Sequence, residues 1–380
     1  MTIVLGLLIL SFLIFFHELG HFLLARLCGV EVEAFSIFMG PVLLHKKIGK
    51  TDYRVSLLPI GGYCQMKGEK DFTKAVEDGL GYVPGGKDSL FGTHPLKRAL
   101  IGFAGPAFNL LFAFAASTVI AMIGYTYRTK SATIQIPDDT AFQSPAREAG
   151  IKSGDTIVKI AGKEISDFSD IYEQVALRGD EDIEVEVLRP VDGGDGKQER
   201  LVFTVHTLIN KKEGNGILGV MSSGDTIEKE VKALSFFPAL GKGFLETGKL
   251  LSQTLKSMKI LFKGVDITNA VSGPARISSM LGESAKEGFS AGMKTGWVVA
   301  LQFMALISVS LFIMNLLPIP ILDGGLILFA FIQAVTKKQI PPRVQYKIQV
   351  AGVAVIMLLF MVGLGGDIKY FINKIGGVKG

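Results

Sequence analysis

The sequence is short of cysteine and of charge, and each shortage narrows what the protein can be. Cys28 and Cys64 are its only cysteines. They match no zinc-binding spacing and no disulfide framework, so they read as free thiols on a reducing face. Charged residues make up only 20% of the chain and the net charge is +5, so nothing points to nucleic acid. The N-terminal apolar run, residues 2–27, lacks the basic start and the A-x-A-like cleavage site of a signal peptide, and it is too long for one. Apolar residues are abundant instead, 48% of 380 residues with a mean hydropathy of +0.40. That excludes an ordinary soluble protein and fits a membrane core carrying a soluble insert.

Four apolar runs, about residues 2–27, 97–126, 296–317 and 348–366, are long enough to cross a bilayer as helices. The first contains His17-Glu18-Leu19-Gly20-His21. On a helix, positions i and i+4 share a face, so His17 and His21 can hold one zinc ion together. Glu18 beside them can act as general base toward a water that the metal activates. Ionisable residues inside a membrane span are costly and mark a functional site. A catalytic zinc needs a third protein ligand. The metzincin extension is missing, because Leu24 and Leu27 stand where it needs Gly and His. The soluble-zincin solution, a Glu on a following helix, is not offered by the strand-like and loop-like stretch that comes next. The best third ligand is Asp323, in Asn315-Leu-Leu-Pro318-Ile-Pro320-Ile-Leu-Asp323-Gly324-Gly325, where prolines break the helix that ends the third span.

Counting crossings supports that choice. Spans one and three run in the same direction, and His17, His21 and Asp323 all lie toward their C-terminal ends, at similar depth near one face. The loop between spans three and four carries Lys337, Lys338, Arg343 and Lys347 without an acid, so it leans cytoplasmic. Arg26, Lys97 and Arg98 agree, whereas Arg128, Lys130, Lys369, Lys374 and Lys379 fall on the opposite side.

Between the spans the pattern changes. Residues 42–46 and 53–58 flank Ile48-Gly49-Lys50-Thr51 as a hairpin, and Pro59 with Gly61-Gly62 should end its second strand. Such a hairpin offers either an edge for an unwound substrate backbone or a plain surface ribbon. His45 within it reads as a surface residue. Residues 71–93 read as an exposed loop. Asn109 in the second span is either packing glue between helices or a donor to a developing oxyanion. Residues 131–223 turn soluble, with a helix over Phe168–Leu177 and strands over Ile183–Leu188 and Leu201–His206. From 234 to 263, Phe237, Phe244, Leu251 and Met258 recur every seven residues, opposed by Lys242, Lys249, Lys256 and Lys263. That helix suits an anionic membrane surface or packs on the soluble insert.

HELGH and the N-x-x-P-x-P-x-x-D-G pattern at Asn315–Gly324 resemble the two signatures of the site-2 protease family of intramembrane zinc metalloproteases. Gly105-Pro106-Ala-Phe-Asn109 and Ser272-Gly273-Pro274 resemble further landmarks of that family. The closest group is the bacterial one with PDZ domains, typified by the sigma-E regulator protease. Ser144–Ile165 resembles the PDZ signature, and Gly216, Ile217, Leu218, Gly219 and Val220 look like the carboxylate-binding loop of a permuted PDZ domain. Only one such domain is visible here, where the sigma-E regulator protease has two.

The resemblance implies a mainly α-helical integral membrane protein. It would have about four transmembrane helices, a membrane-associated β-hairpin after the first and one inserted α+β PDZ domain. The divisions are 1–130, 131–223, 224–270 and 271–380. The resemblance also implies one Zn2+ per chain, held by His17, His21 and Asp323 with Glu18 as base. The substrates would be transmembrane segments of single-pass proteins such as anti-sigma factors or remnant signal peptides. It places the protein in the bacterial inner membrane, with the catalytic end cytoplasmic and the insert periplasmic. Asn315 would hold the unwound substrate, or cap the helix break. Two other readings compete: a CAAX-processing or HtpX-like membrane zinc protease, and an inactive PDZ scaffold.

Overall fold

The computed structural model describes residues 2–138, 143–191, 197–210, 215–261 and 273–375. Phe262, Lys263, Ser272 and Lys379 of the patterns above lie outside them. The chain forms two units, one of Met1–Ile123, Ala233–Ser252 and Ser272–Gly380, the other of Gly124–Lys232 and Gln253–Val271.

The first unit begins with α1 (Thr2–Leu27), an uninterrupted apolar helix with no acid in its first turn and Arg26 in its last. A hairpin follows, β1 (Val32–Ile48) and β2 (Thr51–Met66), turning at Ile48↔Thr51 as the sequence suggests. The second strand does not end at Pro59. Residues 34–37 of β1 pair with 52–55 on one side and with 62–65 on the other, so Pro59–Gly61 is a bend inside a doubled-back strand. Ser11 of α1 holds that bend: its Oγ donates to the Pro59 carbonyl at 2.5 Å and accepts from the Gly61 amide at 3.3 Å. His45 is exposed and bonds Asp52 at 3.2 Å, as a surface residue would.

The stretch 71–93 is not a simple exposed loop. It contains α2 (Glu69–Glu77), whose Phe72 and Ala75 are buried, and Phe72 stacks on Phe91 with centroids 5.3 Å apart. Val83 and Leu90 join the same core with Val32, Phe35 and Met66 of the hairpin. Its Gly, Lys and acidic residues hide an apolar set at helical spacing. Next comes α3 (Pro95–Ile123), which runs through Pro106.

The second unit starts with β3 (Tyr125–Lys130) and β4 (Ile134–Gln135), then α4 (Pro145–Glu148), β5 (Thr156–Ile160), β6 (Lys163–Glu164) and α5 (Phe168–Ala176). The strands β7 (Asp182–Pro190), β8 (Gln198–His206), β9 (Leu208–Ile209), β10 (Gly216–Ile217), β11 (Met221–Ser222) and β12 (Thr226–Val231) complete it. Its main sheet has the order β6-β5-β7-β8, all antiparallel, and β12 pairs with β3. Alternation along β7 sends Ile183, Val185 and Val187 inward, where they meet Ile157, Ile160, Ile171 and Val205. Asp167 caps α5 by accepting from the Asp170 amide, and Lys229 of β12 bonds the same carboxylate at 2.8 Å.

The chain then continues with α6 (Phe236–Leu261), which belongs to the first unit as far as Ser252, and with α7 (Pro274–Ser290), α8 (Met293–Asn315), α9 (Asp323–Thr336) and α10 (Pro342–Ile375) of the first unit. Of the described helices, four are long and apolar enough to cross a membrane: Val4–Leu27, Pro95–Ile123, Met293–Asn315 and Pro342–Ile368. Helix α6 packs a third face that the two stripes concealed. Ala239, Gly243 and Thr247 are buried, and Gly243 lies directly against Thr118 of α3. Phe237 and Phe244 remain 80% and 73% exposed. Gly273 and Pro274 start α7. The Gly273 and Ala275 amides donate to buried Asp367 of α10 at 2.9 and 3.1 Å, which ties those two helices together.

Candidate active site

Three helices bring the site together. α1 supplies His17, Glu18 and His21 on consecutive turns. α3 lies against α1, and α9 begins at Asp323 and packs on α3. Asp323 therefore does not end the third span. It opens the next helix, after the Pro318–Pro320 turn that the sequence marks as a break. Cβ atoms at Gly324 or Gly325 would run into the Leu316, Leu317 or Ile319 carbonyls, so the turn requires that pair of glycines.

His17, His21 and Asp323 are the one group of potential ligands among the described residues with atoms close enough to share a metal. His17 Nε2 lies 3.1 Å from Asp323 Oδ2, His21 Nε2 lies 3.3 Å from Oδ1, and the two Nε2 atoms are 3.1 Å apart. Zinc ligands about 2.0–2.1 Å from a tetrahedral metal stand roughly 3.3–3.4 Å from one another. The triangle is therefore one face of such a site, and nitrogen and carboxylate oxygen are the right donors. Asp323 Oδ2 is buried with no hydrogen-bond donor, the mark of an atom whose partner is not protein.

The outer nitrogens are held as ligand histidines require. His21 Nδ1–H donates to the Ile101 carbonyl of α3 at 2.8 Å. At His17 the neighbour is Asn109, fully buried, with Nδ2 3.0 Å from Nδ1 and its own Oδ1 left without a partner. Turning that amide over puts Oδ1 on the His17 Nδ1–H and satisfies both groups. The Asn109 carbonyl in turn accepts from Ser308 of α8 at 2.8 Å. The structure thus places Asn109 behind His17, on the side away from Asp323.

Gly105 explains its own motif. A Cβ there would collide with both His17 and His21, so only glycine lets α3 approach the pair. Glu18 points to the hairpin, where the Cys64 backbone faces its carboxylate and Gly62 lies alongside. Cys64 thus contributes through its backbone to the surroundings of Glu18, which its thiol does not reveal in sequence. Asn315 is the last residue of α8, half-buried, and the N-cap of α9, Leu322, has no side-chain cap. In the second unit, Gly216–Val220 follow β9. Leu218 O accepts from the Ala146 amide, Gly219 O accepts from Ser144 Oγ, and Gly219 has φ +74°. Sequence reasoning missed Ile101, Ser308 and the Cys64 backbone, because backbone groups and a lone serine carry no motif.

Comparison with known proteins agrees with this geometry. The model of peptidase family M50 matches residues 5–359. A Treponema pallidum protein named as a zinc metalloprotease is 33% identical over 448 aligned residues, covering 98% of this chain and 99% of that protein. A similarly named Clostridium perfringens protein is 34% identical, covering 97% and 99%. One from Campylobacter jejuni is 31% identical, covering 97% and 93%.

Proposed function

The chain belongs to peptidase family M50, the site-2 protease family, and from that premise we propose that it cuts peptide bonds within transmembrane segments of single-pass membrane proteins, in regulated intramembrane proteolysis. Membership makes it a zinc metalloprotease, and its four apolar helices make it a multi-pass membrane protein. The observation that carries the finer reading is position. His17, Glu18 and His21 sit inside the span Val4–Leu27, with Asn109 of the span Pro95–Ile123 against them.

His17, His21 and Asp323 would hold one zinc per chain, which when bound would supply Lewis-acid polarisation of a carbonyl and lower the pKa of a water. Glu18 takes the proton from the attacking water and passes it to the leaving amine. The Cys64 backbone faces Glu18, and Asn109 and the Ile101 carbonyl hold the two histidines. A helical substrate hides its carbonyls and must unwind. The outer edge of residues 62–65, which no other described strand pairs with, runs beside Glu18 and can take an unwound backbone as an added strand. To Asn315, at the helix break before Asp323, we assign either the holding of the same backbone or the capping of that break.

The substrates we propose are anti-sigma factors or remnant signal peptides, cut near the cytoplasmic face of a bacterial inner membrane. Lys337, Lys338, Arg343 and Lys347 support that orientation. We assign residues 131–223 to a PDZ domain on the outer side that excludes substrates with bulky outer domains. The exposed Phe237 and Phe244, set on a helix that packs against a span, belong at the lipid surface.

Glu18→Gln should keep zinc and lose cleavage of a model transmembrane substrate by about 10²–10⁴, whereas Asp323→Ala should lose most of the zinc. Near-normal turnover by Glu18→Gln would sink the mechanism. Normal zinc in Asp323→Ala would favour a CAAX-processing or HtpX-like arrangement. For the filter, one substrate helix carrying a short or a folded outer domain is offered to the intact enzyme and to enzyme lacking residues 131–223. An unchanged ratio of the two rates, with zinc retained, would refute it.

A further inference from the structure

One buried cation away from the metal cluster has no counter-charge. Arg98, in the first turn of α3, is 4% exposed. Its Nη2 donates to Gln333 Oε1 of α9, its guanidinium lies 5.4 Å from the Phe91 ring centroid, and its Nε is buried without an acceptor. No acid among the described residues pairs with it. A guanidinium keeps its proton in proteins, so burial cannot neutralise it. A buried charge without a partner is costly.

Arg98 lines a cavity of about 10 Å³ together with Gln333, Gln339, Gln345 and Phe329. That is at the lower limit of the room one water requires, so the cavity takes one small ligand at most and not a phosphate group. The lining contains no carboxylate. Gln339 is engaged at both ends, its oxygen accepting from the Val83 amide at 3.0 Å and its Nε2 donating to the Phe91 carbonyl at 3.4 Å, and the oxygen of Gln333 is spent on Arg98, so Gln333 has N–H left to offer. Gln345, 6% exposed, adds another amide, and the α3 N-terminus adds the positive end of a helix dipole.

We propose that this cavity binds a single chloride-sized anion as a structural ligand, held by Arg98 and the Gln333 and Gln345 amides. Its position gives it a consequence for the active site. Arg98 and Gln333 close one end of the seam between α3 and α9. Gly102 meets Leu326 and Ile327 along that seam, and Asp323, with Gly105 beside the histidines, stands at the other end. An anion at the outer end holds together the two helices that bring Asp323 to the metal cluster.

The test uses the full chain with zinc in phospholipid-free detergent, unfolded by heat in sodium chloride or sodium gluconate at equal ionic strength. The expected result is a Tm roughly 2–5 °C higher in chloride, rising with the logarithm of its concentration. The effect should be lost in Arg98→Gln and kept in Lys97→Gln. Equal Tm in the two salts, a chloride effect that survives in Arg98→Gln, or one that needs added phospholipid would overturn the proposal. Should Arg98→Gln fail to fold, crystals of the unaltered protein grown in bromide decide it. An anomalous peak beside Arg98 sustains the site, and no peak there means that water fills it.

Discussion

The two units of this protein solve burial in opposite ways. In the second unit Ile157, Val185, Val187 and Val205 are fully buried, and the two buried carboxylates, Asp155 and Asp167, are each paired with a cation, Arg189 and Lys229. In the first unit large apolar side chains face outward, Leu358 at 66% and Phe331 at 60% exposed, while Ser308, Asn109, His17 and His21 are buried. Lipid is as apolar as leucine, so burying leucine between membrane helices gains little. Close approach and satisfied polar groups do that work instead. The difference teaches that the polar groups buried between the long helices of the first unit serve both packing and chemistry, so damage to them should reach the metal, whereas damage to the second unit should not.

Gly105→Ala is the sharpest test. A methyl group there meets both histidine rings, so most of the zinc and all measurable cleavage should be lost while the helices stay inserted. Metal analysis and circular dichroism on the same sample decide it, and retained zinc would mean that α3 yields easily. Asn109→Ala should act less severely, lowering zinc affinity about 10–100-fold through loss of the group behind His17. A competition titration with a chelator measures this, and Asn109→Asp should restore part of the affinity. Unchanged affinity would leave Asn109 as packing alone. In the second unit Ile157→Ala should cost about 2–5 kcal/mol of local stability, read by hydrogen exchange across β5 and β7, with zinc content unchanged. Leu358→Ala, on the lipid-facing side, should change neither. If Ile157→Ala lowers zinc content, or Leu358→Ala destabilises as much, the contrast between the units fails.

The four spans were legible because twenty-odd apolar residues in a row have few alternatives to a membrane helix. His17 and His21 were legible because helix geometry fixes i and i+4 on one face whatever surrounds it. Strands β7 and β8 of the second unit were legible from alternation, whereas β3 and β12 were not, since the apolar run was read through to residue 126. The helix inside 71–93 was not, since Phe72, Ala75 and Val76 are diluted by lysine and acid and become a core only when Phe91 stacks on them. Nor was the doubling of β2, because Pro59 and Gly61 are ordinary strand breakers until Ser11 of another element holds the bend.

The sequence by itself determined which side chains can bind a metal and act as base, because their chemistry is intrinsic. It also determined which segments belong in lipid, because hydropathy is a property of composition. Only the tertiary structure decided that Asp323 opens a helix, that Asn109 stands behind His17 and that Gly105 must lack a side chain. Those facts depend on distances between segments some 80 to 300 residues apart in the chain, and such distances are set by how helices pack.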